Sequence, residues 1–347
     1  MKKRSKVKNI LIFGAGSVGV HHANAARSLN CNVFICDINF SQFEYMKNNL
    51  YPKRYGSWDN KIKFISYKDI FETENNYDLI IIGVPPQNHL ELLKKCFIFL
   101  KFKKILVEKP LCVFNQDFSF INKIKNKNKI YCGFNHSISD SFLYLINLVS
   151  KKRIGNIKKV EINWKEDFKL VLNAHPWIKN LKQSYLSNLK KGGGGCHEYS
   201  HALHLALILK KILFKEKKIS MNKNIIYKKE KNLFYDSVSK ISFNNRLKSL
   251  NLNIDTISNP CQKNITVIGE NGTIFWERKI EKKYEKIEIK KNKNLTYKFF
   301  KLSRCDDFIN QIKILLFKKK KYDQISNIKL QSGVEVMKLL QNFFKYV

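Results

Sequence analysis

Three histidines and a glutamate crowd one stretch of the chain, His197-Glu198-Tyr199-Ser200-His201 followed by His204. On a continuous helix over 196–211 the histidines fall at i, i+4 and i+7 and share a face, with Glu198 three residues before His201. Two chemistries fit such a face. H-E-x-x-H is the pattern in which paired histidines bind zinc and the glutamate acts as general base in a hydrolase. Its extended form needs a glycine and a third histidine, but His204 stands in the glycine's place and Leu207 in the histidine's. The short motif recurs by chance, so no metal is expected and the zinc hydrolase is the weaker reading. The other chemistry is proton transfer. A histidine with a pKa near working pH can take a hydroxyl proton as hydride leaves the same carbon. A cation would then orient the oxygen and stabilise the developing alkoxide. Lys109, at the end of an apolar run and followed by Pro110, suits that role, although a lysine before a proline also reads as loop punctuation.

A hydride needs an acceptor, and the start of the chain offers a place for one. An apolar run from Val7 leads into Gly14-Ala15-Gly16-Ser17-Val18-Gly19, then a helical pattern and a second strand ending in Asp37. Gly14 permits the tight turn, Gly16 lets backbone approach a pyrophosphate, and Gly19 lets the helix pack close to the sheet. The N–H groups and dipole of the helix start favour a phosphate anion. Asp37, at the second strand's tip, can accept hydrogen bonds from a ribose diol and would repel a 2′-phosphate, so NAD is expected in preference to NADP.

The elements that must carry these residues follow in order. Short strands are expected at 63–66, 77–84, 104–107 and 129–133, with helices over 88–101 and 116–125 between them. Strands alternating with helices at this spacing give a doubly wound parallel sheet, with ligands at the strands' carboxyl ends. Gly14, Asp37, Val84, Pro85, Glu108 and Lys109 all lie at such ends and are the expected cofactor edge. After Asn135 the pattern changes. A helix over 140–152, a strand over 157–164, a loop carrying His175-Pro176-Trp177 and Ser184-Tyr185, and the run Gly192-Gly193-Gly194-Gly195 precede the histidine helix. Alternating strands follow near 237–243, 247–257, 264–268, 273–277 and 283–289, with Gly269-Glu270-Asn271-Gly272 as a hairpin turn. Helices over 306–317 and 331–346 come last. The reading is an NAD(P)-binding Rossmann domain over 1–135 and an α+β domain over 136–347 built on an open, mostly antiparallel sheet, for substrate binding and oligomerisation.

Bulk properties limit the partners. With 347 residues, 44% of them hydrophobic, two domains and a sizeable core are possible. The formal net charge of +37 would suit a polyanion. Its lysines are scattered among Asn, Ile and Phe, and the Lys/Asn stretches 122–129, 215–231, 278–293 and 318–321 read as exposed loops, edges and helix ends, so no nucleic acid is expected. No apolar run reaches the ~18 residues of a membrane span, and no membrane partner is expected. The basic N-terminus lacks the uninterrupted apolar run and cleavage site of a signal peptide. Eight cysteines without a C-x-x-C pair suit buried thiols in a reducing cytoplasm.

Taken in order, Gly14-Ala15-Gly16-Ser17-Val18-Gly19, Glu108-Lys109-Pro110-Leu111, Gly133-Phe134-Asn135, the glycine run leading to Ser200-His201, and Ile268-Gly269-Glu270-Asn271-Gly272-Thr273 resemble the Gfo/Idh/MocA family of sugar dehydrogenases. The resemblance runs nearly end to end. It implies NAD(P)-dependent oxidation or reduction of a sugar, cyclitol or nucleotide-sugar carbon, with Lys109 and His201 as catalytic pair and a homo-oligomer, dimer or tetramer, formed through the open sheet. It also implies that Lys109-Pro110 is often cis. The loop carrying His175 and Ser184 resembles a branch of surface-polysaccharide and sialic-acid-like sugar pathways. The family's aspartate three residues after the catalytic histidine is His204 here, and its acid before the histidine is replaced by Glu198 or His197, either of which would partner His201. A protein that binds NAD without turnover, as sensor or scaffold, is the alternative from another class.

Overall fold

The buried, unbroken apolar strands at the start of the chain explain the first sheet. Ile10, Leu11, Ile12 and Phe13 of β1 (Asn9–Phe13) are at most 1% exposed, as a strand covered on both faces requires. β2 (Asn32–Asp37), β3 (Ile62–Ser66), β4 (Asn76–Ile82), β5 (Lys101–Val107) and β6 (Ile130–Cys132) join it in the order β3-β2-β1-β4-β5-β6. Every pairing in this sheet is parallel. This is a doubly wound arrangement whose first crossover is the helix Ser17–Ser28. The computed structural model describes residues 7–72, 74–173, 178, 180–214, 218–317 and 325–347.

The second sheet has eight strands in the order β14-β13-β12-β11-β7-β10-β9-β8. They are β7 (Ile157–Lys165), β8 (Ser220–Glu230), β9 (Leu233–Asn244), β10 (Ser249–Asp255), β11 (Gln262–Gly269), β12 (Gly272–Lys279), β13 (Tyr284–Lys291) and β14 (Asn294–Lys301). Only β7 and β10 pair in parallel; the others are antiparallel. Val160, Ile162 and Trp164 alternate into the core along β7, and Gly269-Glu270-Asn271-Gly272 makes the expected hairpin between β11 and β12. Helix Asp140–Ser150 is fastened to this sheet by a buried network. Arg278 pairs with Glu285, the Ser141 hydroxyl donates to Glu285, and Trp276 Nε1 donates to Ser141 at 2.8 Å.

Two expectations are corrected. The helix over 116–125 is only a single 3₁₀ turn, Ser119–Lys123. Asp117 accepts from both the backbone N–H and the hydroxyl of Ser119, at 2.8 and 2.9 Å, a local turn that competes with the helix. The Lys/Asn stretch 278–293 contains β13, which lies inside the sheet between β12 and β14 rather than at an edge. The stretch 215–231 contains the long edge strand β8, an edge as expected of such stretches. The loop residues His175, Pro176 and Trp177 lie outside the described residues.

The chain forms two units. The first comprises Met1–Cys112, Gln116–Asn135 and Cys305–Gly333, the second Val113–Asn115, His136–Arg304 and Val334–Val347. Ring contacts and a backbone hydrogen bond hold the returning segment to the first unit. Phe308 of the helix Asp306–Leu316 stacks on His21, centroids 5.1 Å apart, and meets His22 edge-on at 4.8 Å. Cys132 N–H of edge strand β6 donates to Ile328 O at 2.8 Å.

Candidate functional site

In the first unit, the glycine turn has the geometry its residue types imply. Gly14 has φ +105°, and a Cβ there would meet Gly83 O at 2.7 Å; a Cβ on Gly19 would collide with Gly14 O. Gly16 is different: a Cβ there would meet nothing within 4 Å, so the space over this turn is open. The helix that starts at Ser17 has no side-chain cap and no acid in its first turn, which leaves its N–H groups to a phosphate. Arg54, not singled out from sequence, donates to Ser17 O at 2.9 Å and adds a positive charge beside the turn. Asp37 sits against the turn and accepts from Ala15 N–H at 2.8 Å. These residues fit a dinucleotide: donors for a pyrophosphate, open space above them, and a carboxylate at the next strand end.

At the neighbouring strand ends, Val84 and Lys109 are half-buried, Pro85 is exposed and Glu108 is 6% exposed. The Glu108 carboxylate accepts from His22 Nε2 at 2.7 Å and from Lys109 N–H at 3.2 Å. A Cβ on Gly133 would collide with that carboxylate, which accounts for the glycine of Gly133-Phe134-Asn135. Glu108, expected at the cofactor, thus braces the glycine-turn helix and the Lys109 backbone. His89, 1% exposed, bridges the two loops: Nε2 lies 2.8 Å from Val84 O and Nδ1 2.9 Å from Pro110 O. Burial lowers its pKa and the two carbonyls oppose that shift. The Lys109-Pro110 bond is cis.

In the second unit, the histidine helix is broken. Helix Gly195–Glu198 ends at Tyr199, whose backbone (φ −95°, ψ 30°) leaves the helical region before the helix Ser200–Leu213 begins. Tyr199 is held there by its hydroxyl, which donates to Glu166 O at 2.7 Å. The expected common face of His197, His201 and His204 is therefore corrected. His197 is fully buried, accepts from Phe114 N–H at 3.3 Å and stacks on Phe344 with centroids 5.6 Å apart. Burial pulls its pKa down to about 3 and keeps it neutral. His204 is 2% exposed. His201 is half-buried, and its ring lies against that of His136, centroids 4.1 Å apart. Glu198 accepts from the Tyr185 hydroxyl at 3.3 Å. Among the described residues, no group of three or more His, Cys, Asp or Glu could hold a metal.

The glycine run places this segment. Gly192 and Gly194 both have φ +88°, and a Cβ on Gly193 would collide with the carbonyls of Tyr185 and Leu186. Beneath it lies Asp236, 1% exposed, which accepts from Cys196 N–H at 2.8 Å and from Ser239 Oγ at 3.1 Å. Nothing in its spacing from 196 marks Asp236 in the sequence, because β9 brings it in from 40 residues away. Burial raises its carboxyl pKa to about 6. The native state then holds a proton that the unfolded chain has released, so Asp236 withdraws stability as pH rises from about 4 to about 6, by about 3 kcal/mol at most. His197 acts in the opposite sense, so the difference between variants is the measurable quantity. Urea unfolding of Asp236→Asn should show a gain over wild type that grows across pH 4–6 and is constant above it. A difference independent of pH would contradict this assignment.

Residues 8–136 match the family model described as GFO_IDH_MocA, an oxidoreductase family with an NAD-binding Rossmann fold. None of the curated proteins matches the chain in sequence. Solved structures share its fold at low identity. Levoglucosan dehydrogenase in complex with NADH superposes with a TM-score of 0.73 and 12% identity, covering 98% of this chain and 96% of the other. Aldose-aldose oxidoreductase from Caulobacter crescentus, complexed with glycerol, gives 0.72 and 12%, over 98% and 97%. An inositol dehydrogenase homolog from Azotobacter vinelandii with NAD+ gives 0.70 and 12%, over 98% and 95%.

Proposed function

From residues 8–136, which match the NAD-binding Rossmann model of the Gfo/Idh/MocA oxidoreductases, we propose a dehydrogenase that moves a hydride between NAD and a carbinol carbon of a sugar, cyclitol or nucleotide-sugar. The observation that carries this reading is the open, uncapped helix start at Gly16 beside the Asp37 carboxylate. When bound, the nicotinamide supplies the hydride acceptor. Ser17, Val18 and Gly19 N–H groups hold the pyrophosphate, and Asp37 accepts from the adenosine ribose and disfavours NADP. Val84 and Pro85 border the nicotinamide end, with Glu108 and His89 fixing the backbone around them. Lys109 orients the reacting oxygen by charge. His201 takes the hydroxyl proton on oxidation and returns it on reduction. Glu198 is the acid nearest to His201 in sequence and the proposed partner, with its own carboxylate steadied by Tyr185.

A place in surface-polysaccharide or sialic-acid-like sugar synthesis, the cytoplasm and a homo-oligomer complete the reading. All eight thiols are free, and Leu295, Tyr297 and Phe299 alternate as exposed apolar residues along edge strand β14, supporting association. Among the described residues no helix is long and apolar enough to cross a membrane.

The test is single-turnover reduction of bound NAD, followed by nicotinamide absorbance, against hexoses, amino sugars, cyclitols and nucleotide sugars. Reduction by one class, with NAD favoured over NADP, is the expected result. NAD binding without turnover on any of them would favour a sensor or scaffold; no binding of either dinucleotide would overturn the reading at its first step.

A further inference from the structure

A groove of about 490 Å³ lies between the last turns of the helix Ser200–Leu213, the strand pair β8–β9 and the stretch from Glu335 to Asn342 of the helix Leu330–Phe343. That volume falls within the ~300–1,000 Å³ of small-molecule sites. All of its walls belong to the second unit. Met221 and Phe243 are cross-strand partners on β8 and β9 and face the groove together, with Leu207, Phe214 and Leu339 beside them. Two contacts frame it. Lys211 Nζ pairs with Glu335 at 2.7 Å and ties one helix to the other. Lys223, two residues beyond Met221 on the same strand face, donates to Asn342 O at 2.6 Å and to Phe343 O at 2.8 Å and ties the second helix to the sheet.

The groove is apolar at its floor and cationic at its rim. Lys210, Lys211 and Lys338 line it, and Glu335 is the one acid among its described lining residues. Glu335 is taken up by Lys211, and among the described residues no carboxylate lies within ion-pair distance of Lys210 or Lys338. Lys210 is half-buried, and its ammonium lies 4.6 Å from the centroid of the Phe243 ring. Burial lowers its pKa, and Glu335 opposes that shift. Lys210 and Lys211 stand in the last turn of their helix, where a cation also favours the dipole. Lys338 does not, since it lies more than a turn before the end of the facing helix. The charges therefore converge from two walls, and capping accounts for only one of them. A sugar or nucleotide, polar on every side, would leave hydroxyls unpaired against the apolar floor. A ligand with one anionic end and an apolar body complements both.

We propose that this groove binds a free medium-chain fatty carboxylate, with its head between Lys210 and Lys338 and its acyl chain along Met221, Phe243 and Leu207. The site is separate from the residues assigned to proton transfer. Lys210 stands nine residues beyond His201 on the same helix, about 14 Å along its axis, so the proposal does not depend on the reading of the reaction.

The protein has four methionines, and Met221 alone among the described ones lines the groove. The experiment is ¹³Cε-methionine NMR of the full-length protein, with Met221 assigned from Met221→Leu, titrated with sodium dodecanoate below its micellar range. The Met221 signal should shift and saturate at one equivalent, while that of Met46, in the first unit, stays still. Decanoate, two methylenes shorter, should bind about 15-fold more weakly. Dodecanol, which lacks the charge, should bind about tenfold more weakly. Lys210→Gln with Lys338→Gln should weaken dodecanoate about tenfold and leave dodecanol unchanged. Lys338→Gln alone, at an exposed position, should weaken dodecanoate about threefold and covers the case in which the double variant does not fold. Because the chain carries a net charge of +37, unspecific uptake of anions is the rival that these variants exclude. Binding of several equivalents with Met221 unmoved would overturn the proposal, as would an equal shift with dodecylammonium. So would a response to phosphatidylglycerol vesicles but not to monomeric dodecanoate, which would mark a membrane surface. A Met221 signal that moves with protein concentration alone would place a second copy in the groove and overturn it as well.

Discussion

His201→Ala should lower the single-turnover rate of NAD reduction by about 10³-fold, within the range spanned by general acid–base groups, while NAD affinity stays within a few-fold of wild type. The two expectations separate because His201 lies in the second unit and the glycine turn in the first. The loss should be a loss of rate and not of folded protein. The side chain is half-buried and is the second residue of a fourteen-residue helix, so truncation removes a ring contact without opening a sealed core. Stopped-flow absorbance at saturating substrate, with NAD binding measured on the same sample, checks both halves. A fall smaller than about tenfold would remove His201 from the proton-transfer role. A parallel collapse of NAD binding would point to misfolding instead.

The second large effect concerns stability. Arg278 and Glu285 are 7% and 3% exposed and paired with each other, and Glu285 also receives the Ser141 hydroxyl. Arg278→Met leaves a carboxylate buried without its cation, which should cost about 3–5 kcal/mol. Replacing both partners, Arg278→Met with Glu285→Leu, should recover most of that loss, because an apolar pair of similar volume no longer has a charge to desolvate. Urea unfolding followed by tryptophan fluorescence is suited to the comparison, since Trp276 donates to Ser141 within the same network. If the single replacement costs less than about 1 kcal/mol, Arg278 is not what compensates the buried Glu285 charge.

What the sequence reveals depends on how locally each feature is encoded. The parallel sheet is legible because β1 and β4 are covered on both faces and read as unbroken apolar runs. The glycine turn is legible because each glycine answers a steric demand within its own strand–turn–helix unit. β8 and β14 are hidden by their position: an edge strand in water carries lysine and asparagine, as a loop does. The break at Tyr199 is hidden because what holds it is the Glu166 carbonyl, 33 residues away. Asp236 and His136 are hidden for the same reason, since their partners at 196 and 201 are brought to them by the sheet and not by spacing. Glu108 was legible as a strand-end residue, but its ties to His22 and Lys109 required the fold.

The return of residues 305–333 to the first unit bears on how this chain can be divided. A fragment ending at Asn135 would carry every residue of the dinucleotide turn, yet it would expose the His21 and His22 rings that Phe308 covers and the β6 edge that meets Ile328. An autonomous cofactor-binding module would therefore have to be a spliced chain, with 305–333 joined behind 135. The ribosome releases that last piece only after nearly all of the second unit has been made, so the nucleotide-binding unit is begun before the second unit and completed after most of it.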